Sequence, residues 1–546
     1  MNDETNQHEL GNARSASPDE PSALSERTLS AHDSAISEVL RVAVPAVATM
    51  TSYTVMQFVD KLIVKELGPD ELAAVGNGGI AAFIPGAMMM GLLGVINTFV
   101  SQNLGAGRPQ RGSAYAWNGL YLSVLSWLVV FVPFAIFLPQ VFLAQQAIFD
   151  LTAPSEAVSA MQNQYGGILL LGMVFTLGSR ALGHFFYGIH KPSVVMVSAI
   201  AGNIVNVLLC NYLVLGRVGL PFPGAQWQSG WEGIGVIGAA LSTVAGGIVE
   251  LVIPFALFLA PKTDAAYHTR RAWRYSFAHV KDILRIGWPA GLMGANELVC
   301  WFVFMTGFVA HFDKPGQPAV NNAAGWITLQ YMHLSFMPAV GISIALTAIV
   351  GKYIGAKRMD IAVKRAWLGL WLTVAYMSVC AAIFVIFREW LVRLFIGADY
   401  DPAVTEQIVE IGSKLLILAA MFQLFDAIAI SLSGVLRGAG DTVWPGVVTM
   451  VLSWGIIVGG GKYFIAYHED LGSLGPWIAA AAYIIALSIA FFVRFLGGKW
   501  KHMKVLREHD ADEAGLSGAL PDPESGYDLG GYDPASVSPQ QGPSPS

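Results

Sequence analysis

The chain has 546 residues, 54% hydrophobic and only 13% charged, with a formal net charge of −6. A soluble protein carries about 25% charged residues, so an ordinary cytosolic enzyme is excluded, and so is a disordered scaffold, which needs low hydrophobicity. The apolar runs are long and unbroken, unlike the strands of an outer-membrane barrel, which alternate over about 10 residues; no block of Lys and Arg stands alone, so nothing points to nucleic acid.

In chain order, residues 1–35 come first, rich in Ser, Glu, Asp and Ala and carrying a net charge of −5. They read as a disordered tail and not as a secretory signal, because no basic region leads into a short apolar stretch. Twelve apolar segments of spanning length follow, over 38–62, 72–102, 113–138, 163–187, 194–216, 234–260, 283–311, 320–351, 365–387, 409–436, 443–466 and 475–497. Only a helix satisfies its own backbone hydrogen bonds in lipid, so each is expected to be a membrane helix. Residues 501–546 close the chain as a second disordered acidic tail, with eight acids and no base over 508–546. With the tails set aside, the body carries +7.

Basic residues fix an orientation. With the amino-terminus in the cytoplasm, the inner loops and flanks hold Arg108, Arg111, Lys191, the series Lys262 to Arg285, Lys352 to Arg365, Arg437, and Lys499 to Arg507. The outer side holds far fewer, so both termini are expected to be cytoplasmic in a multi-pass cytoplasmic-membrane protein. The cysteines, Cys210, Cys300 and Cys380, lie inside apolar runs; they read as buried small hydrophobes without a disulfide framework.

The chain repeats with a long period. Gly105-Ala106-Gly107-Arg108 matches Gly355-Ala356-Lys357-Arg358, and the segment from Ala116 to Val124 matches that from Ala366 to Val374, at the same offset of 250. Gly188 falls on Gly438 by the same shift, and Pro45-Ala46 pairs with Pro289-Ala290 at 244. The expected architecture is all-α: two six-helix halves over 36–260 and 283–500, joined by a cytoplasmic linker over 261–282 and related by a pseudo-two-fold axis along the membrane normal. Two matched bundles around a cleft suit a transporter, because rocking one against the other exposes a central site to each side in turn.

Charge inside a span costs about 2.5–3.5 kcal/mol for Asp on an insertion scale. Three acids stand out: Asp60 after "MTSYTVMQFV", Glu297 in "WPAGLMGANELVCWFVF" and Asp426 in "LAAMFQLFDAIAISLSG". Glu297 and Asp426 have no basic residue within a helical turn. Such an acid can exchange a proton or a small cation as water comes and goes, as ion-coupled transport requires. Gln57 and Gln423 each lie three residues before an acid and are expected to share its face. Asn203 and Asn206 share a face of the fifth span, as cavity lining or as interhelical glue. Asn296 adjoins Glu297 but points elsewhere. Arg180 lies in the fourth span, against an acid or near the membrane edge, and Tyr331 and His333 lie in the eighth; Asn206, Asn203, Gln57, Gln423 and Tyr331 are the secondary cavity candidates. Pro45, Pro289 and Pro338 are kink candidates, and Gly459-Gly460-Gly461 marks a bend or a close helix contact. Trp288, Trp301, Trp326 and Trp454 read chiefly as interfacial belt residues.

Four segments carry a family resemblance. They are "QFVDKLIVKELGPDELAAVGNGG", "VSQNLGAGR", "RIGWPAGLMGANEL" and "FQLFDAIAISLSGVLRGAGDT". On these the chain resembles the multidrug and toxic compound extrusion (MATE) transporters, the NorM-like branch most closely, over about residues 36–500. The resemblance implies two six-helix lobes in a V around a central cavity, and drug efflux driven by inward Na⁺ or H⁺. It implies that Asp60, Glu297 and Asp426 handle the coupling cation and help to bind cationic substrate. A NorM-like pairing of Glu297 with Asp426 implies Na⁺ somewhat more than H⁺, and oxygen donors suit that hard cation. The sequence departs from the family at Lys61, directly after Asp60, and at Cys210, where the family places Asn or Asp four residues after the equivalent of Asn206; Asn211 comes one position late. A nearby ammonium would hold Asp60 ionised, so the departures shift the expected cation site to the two later acids.

The expected function is a secondary active multidrug efflux antiporter for cationic or amphiphilic compounds, with membrane lipid and small molecules as its partners, no cofactor beyond the coupling ion, and a monomeric state. A lipid-linked saccharide flippase or a narrow-substrate exporter is the alternative, although a pyrophosphate-binding cavity would be strongly basic. Gly438-Ala439-Gly440-Asp441 has the GxGD pattern of an intramembrane aspartyl protease, but it falls where a loop is predicted and no Tyr-Asp pair occurs within a span. No HExxH, GxSxG or Walker A sequence occurs, so the chain does not read as an enzyme.

Overall fold

The computed structural model describes residues 34–149, 154–219, 221, 226–313, 318–396 and 401–506. The expected tails, 1–35 and 501–546, lie outside them except for residues 34–35 and 501–506. Within the described residues twelve helices are long and apolar enough to cross a membrane. They are α1 (Ala35–Lys65), α2 (Asp70–Gly105), α3 (Pro109–Ile136), α4 (Glu156–Gly188), α5 (Pro192–Leu215), α6 (Gly235–Phe258), α7 (Phe277–Phe312), α8 (Val320–Gly355), α9 (Met359–Ile386), α10 (Pro402–Ala439), α11 (Val443–Tyr467) and α12 (Leu474–Leu496). Short helices Leu138–Phe149, Pro261–Tyr267 and Arg388–Phe395 sit between them, and Arg217–Gly219 pairs antiparallel with Gln226–Gln228.

Several helices start earlier than their apolar runs. α4, α7, α9 and α10 begin six or seven residues before the segments expected at 163, 283, 365 and 409. The added turns are polar on one side only, so hydropathy alone misses them. Local capping supplies the missing partners: Ser155 Oγ accepts from Val158 N at 3.3 Å and Asp401 Oδ1 from Ala403 N at 2.7 Å. At α1, Ser34 Oγ accepts from Ser37 N at 3.2 Å. In α7 the extension buries Val280 and Asp282, so the connection between the halves is shorter than 261–282. It is tied to α3: Ser113 Oγ donates to Tyr267 O and Trp117 Nε1 to Thr269 O, both at 2.7 Å, and Ser276 N donates to Asn118 Oδ1 at 2.9 Å.

The repeat is visible in the packing. In the first half α1 packs on α5, α5 on α6, α6 on α4, α4 on α2 and on α3. In the second half α7 packs on α11, α11 on α12, α12 on α10, α10 on α8 and on α9. Each pair in one set has its counterpart six helices later in the other, which is the two-lobe architecture. Across the lobes α1 meets α8 and α2 meets α7, again as counterparts. The helix starts are exchanged: Val39, Val42 and Ala43 of α1 pack with Ile342, Leu346 and Ile349 of α8, while Val280 and Ile283 of α7 join the core of the first lobe.

One end of the bundle is sealed. A Cβ at Gly105 would overlap the Lys352 carbonyl oxygen, and one at Gly355 the Gln102 carbonyl oxygen. Thus the two copies of the repeated glycine exist because backbone meets backbone at the axis. Asn97 Nδ2 donates to Ile344 O at 3.1 Å, Thr98 Oγ1 to Arg437 O at 2.8 Å and Gln102 Nε2 to Gly438 O at 2.9 Å. Arg437, expected in a loop, therefore belongs to the last turn of α10. Gly440 then ends α10 in the left-handed conformation, and Asp441 pairs with Arg494 Nε at 2.8 Å; the GxGD sequence is a helix cap and a structural ion pair. Two of the three consecutive glycines of α11 make close contacts: a Cβ at Gly460 would lie 2.8 Å from Ala479 Cβ, and one at Gly461 2.6 Å from Phe308 Cδ2. A π-helical turn, Ser453–Val458, precedes them.

Candidate cation and substrate sites

The sequence-predicted acids fall into two groups. In the second lobe Glu297 of α7 and Asp426 of α10 are near enough to repel each other, and Tyr483 of α12 is within electrostatic reach of both. Neither acid has a basic partner among the described residues. Two like charges in an apolar span are unfavourable together, so the arrangement favours a bound cation or a shared proton. Asn296, next to Glu297, faces away as expected: Nδ2 donates to Ser453 Oγ at 3.0 Å and Oδ1 accepts from Trp454 Nε1 at 2.7 Å. That locks α7 to α11, and it makes Trp454 an interhelical donor as well as a half-exposed aromatic.

In the first lobe Asp60 sits beside Asn206 and Cys210 of α5, with Tyr165 of α4 nearby. Asp60 Oδ1 and Asn206 Oδ1 are buried without a hydrogen-bond partner among the described residues, while Asn206 Nδ2 donates to Thr243 Oγ1 at 3.3 Å. Two unpartnered acceptor oxygens at one place are an oxygen-rich spot for a proton or a cation. Lys61 does not oppose this. It is exposed and in electrostatic reach of His333 on α8, because successive helix positions point about 100° apart.

The secondary candidates separate. Asn203 Nδ2 donates to Ser52 Oγ in a short bond. That pair lies at a cavity of about 590 Å³ between α1 and α5, whose walls include Val55, Val59, Ile200 and Ile204. Gln57 is exposed. Gln423 is buried, and its Nε2 donates to Ser335 Oγ of α8 at 2.8 Å. Tyr331 is buried too, with its hydroxyl donating to Leu391 O at 2.8 Å and its ring edge-on to Phe384 and Phe395. Both therefore hold α8 to its neighbours.

One intramembrane acid escaped the sequence reading. Glu250, in "AGGIVELVIP" of α6, is buried and accepts a short hydrogen bond from Tyr53 of α1. Arg180 of α4 lies over the Tyr53 ring, 4.3 Å from its centroid. The signal was present, a single Glu in an otherwise apolar run, but strongly apolar flanks mask it in any averaged hydropathy.

Comparison with known proteins agrees with this architecture. The family model MatE matches residues 45–212 and 289–459, one copy in each lobe. The chain is 27% identical over 471 residues to the "Probable multidrug resistance protein NorM" of Pseudomonas syringae pv. tomato, covering 86% of this chain and 96% of that protein. It is 24% identical over 463 residues to the protein of the same name from Bacillus subtilis, covering 84% and 95%. Among solved structures it superposes on a MATE solved in complex with MaL6, with a TM-score of 0.73 at 19% identity over 87% of this chain and 97% of that one. An outward-facing multidrug resistance MATE family transporter of the MOP superfamily gives 0.73 at 20% identity over 87% and 96%. With both halves of the body matched and both lobes superposing, the chain belongs to the MatE family of membrane transporters.

Proposed function

We propose that the protein is a secondary active multidrug efflux antiporter. It exports cationic or amphiphilic organic compounds in exchange for Na⁺ or H⁺ by alternating access between its two lobes. The relatives bearing the name multidrug resistance protein NorM support the substrate class. The observation that carries the mechanism is the pairing of Glu297 with Asp426 inside membrane-spanning helices, without a basic partner among the described residues. One coupling cation relieves the repulsion of the pair, and its departure leaves a net negative site for an organic cation. Competition of two cations for one acidic site is the simplest physical form of exchange. Asp60 with Asn206 forms a second oxygen-rich position in the other lobe. Two carboxylates favour Na⁺ over H⁺ as the coupling ion.

The basic residues Arg108, Lys191, Lys357 and Arg358 lie in loops beside the sealed end. By the positive-inside rule that end is cytoplasmic, and both termini belong to the cytoplasmic side of the inner membrane.

The test is ethidium efflux from proteoliposomes under a Na⁺ gradient and a pH gradient, applied separately. Efflux on Na⁺ alone supports Na⁺ at Glu297 and Asp426. Efflux on a pH gradient alone keeps the antiporter and makes these acids proton carriers. Failure under both overturns the multidrug reading.

A further inference from the structure

Tyr53 stands between two opposite charges of the first lobe. Its hydroxyl donates to Glu250 Oε1 of α6, while the guanidinium of Arg180 of α4 covers its ring at 4.3 Å. Arg180 and Glu250 are within electrostatic reach of each other, yet no ion pair joins them among the described residues. Among the described residues Arg180 Nε is buried without a hydrogen-bond partner, as is the neighbouring Tyr187 hydroxyl. Tyr53 thus touches both charged side chains, with its hydroxyl on Glu250 and its ring against Arg180. The ring comes from a different helix than either charge.

That helix is α1, which also carries Asp60. Tyr53 and Asp60 are seven residues apart, about two turns, so they lie on one face of α1. Both face the first lobe: Asp60 meets α5 at Asn206 and Cys210, and Tyr53 meets α4 and α6. Tyr53 is thus a peg that seats α1, and Asp60 with it. If α1 lifts from the lobe, the peg leaves, and Arg180 and Glu250 lose the group that separates them. They then satisfy each other, including the Nε that has no partner now. Buried charge is balanced in both arrangements, which keeps two states close in free energy.

We propose that Tyr53, Arg180 and Glu250 form a two-state seat for α1, in which the tyrosine either wedges the charge pair apart or is replaced by a direct Arg180–Glu250 ion pair. Tyr53 is then a positioning residue for Asp60. The proposal rests on the transport reading but not on the identity of the coupling ion, nor on Glu297 and Asp426.

The decisive variant is R180M/E250M. A buried ion pair that merely builds a fold can be replaced by apolar side chains of similar size at little or no cost. A switch cannot, because the second state loses the contact that holds it. Spin labels at Val55 of α1 and Ile248 of α6, both exposed, report the separation of the two helices. Wild-type protein is expected to show two distance populations and the double variant one. Identical distributions in the two proteins overturn the proposal, whatever the transport rate. In the efflux assay the maximal rate is expected to fall about tenfold or more, with the half-saturating ethidium concentration within about twofold and no loss of melting temperature. A double variant that transports at the wild-type rate also overturns it. If R180M/E250M does not fold, Y53F decides, since it keeps the ring and removes the donor to Glu250. Wild-type distances and efflux in Y53F overturn the proposal; a shifted distance distribution with slowed efflux supports it.

Discussion

Glu38, in the first turn of α1, accepts a hydrogen bond at 2.7 Å from Arg365 Nε of α9, a residue of the opposite lobe. Tyr353 donates its hydroxyl to the same carboxylate at 2.7 Å, and Lys352 Nζ lies 3.6 Å away. The pseudo-symmetric position in the other lobe holds Asp282, at the same 244 offset that relates Pro45 to Pro289, and it accepts from Tyr115 of α3 at 3.3 Å. Tyr115 is itself the repeat equivalent of Arg365, at the 250 offset. Each lobe therefore receives an acid from the first helix of the other, which is why neither lobe is self-contained at this end.

Removing the charge at Glu38 is expected to be costly. The side chains of Glu38, Arg365 and Lys352 are 14%, 15% and 8% exposed, so water screens the pair poorly. Breaking a buried pair while leaving its cations in place costs about 3 kcal/mol or more. E38Q should lower the detergent melting temperature by several degrees relative to wild type; an unchanged melt would mean that Arg365 and Lys352 find water or another anion.

Closure at the axis has no spare room. A Cβ at Gly105 meets the Lys352 backbone, not a mobile side chain, so G105V must push the lobes apart. Overpacking of this kind costs about 1–3 kcal/mol. Ser101 is fully buried at the same seal. A cysteine placed there should alkylate slowly in the parent and several-fold faster when combined with G105V. Equal rates would show that the seal absorbs the strain elsewhere.

Neutralising the acidic pair separates binding from fold. D426N and E297Q each remove a charge from a repelling pair, so neither variant should be less stable than wild type. Both should reduce ion-driven ethidium efflux at least tenfold, since one carboxylate no longer holds the coupling cation against the drug. Normal efflux by D426N would remove that residue from the coupling site.

The neighbours Asp60 and Lys61 should behave oppositely. Asp60 is half-buried against α5 and Lys61 is exposed. D60N is expected to slow efflux at least tenfold, whereas K61Q should leave it within about twofold. A K61Q variant as impaired as D60N would mean that the ammonium reaches the carboxylate during the cycle.

Much of this protein is legible in its sequence. The twelve spans follow from apolar runs of about 20 residues, and the lobes from the 250-residue repeat of Gly105 on Gly355. Glu297 and Asp426 were legible because a charge in lipid has no bland explanation. Lys61 weighs against Asp60 in the sequence, although successive helix positions point about 100° apart and the two need not pair; in the fold Lys61 is exposed and within electrostatic reach of His333. Gln423 and Tyr331 read as cavity candidates in the sequence, but polarity in a span marks interhelical hydrogen bonds as readily as binding, and Ser335 and Leu391 claim them.

The sequence alone determined the solvent of this chain, its helix count, its internal repeat and which charges are costly. These are local or periodic properties, readable from transfer free energy and spacing. Only the tertiary structure decided which charges meet. Glu297 with Asp426, Glu38 with Arg365, and Tyr53 between Arg180 and Glu250 each join helices far apart in the chain. Helix rotation and lobe contact set those meetings, and no local pattern records the angle at which one helix faces another.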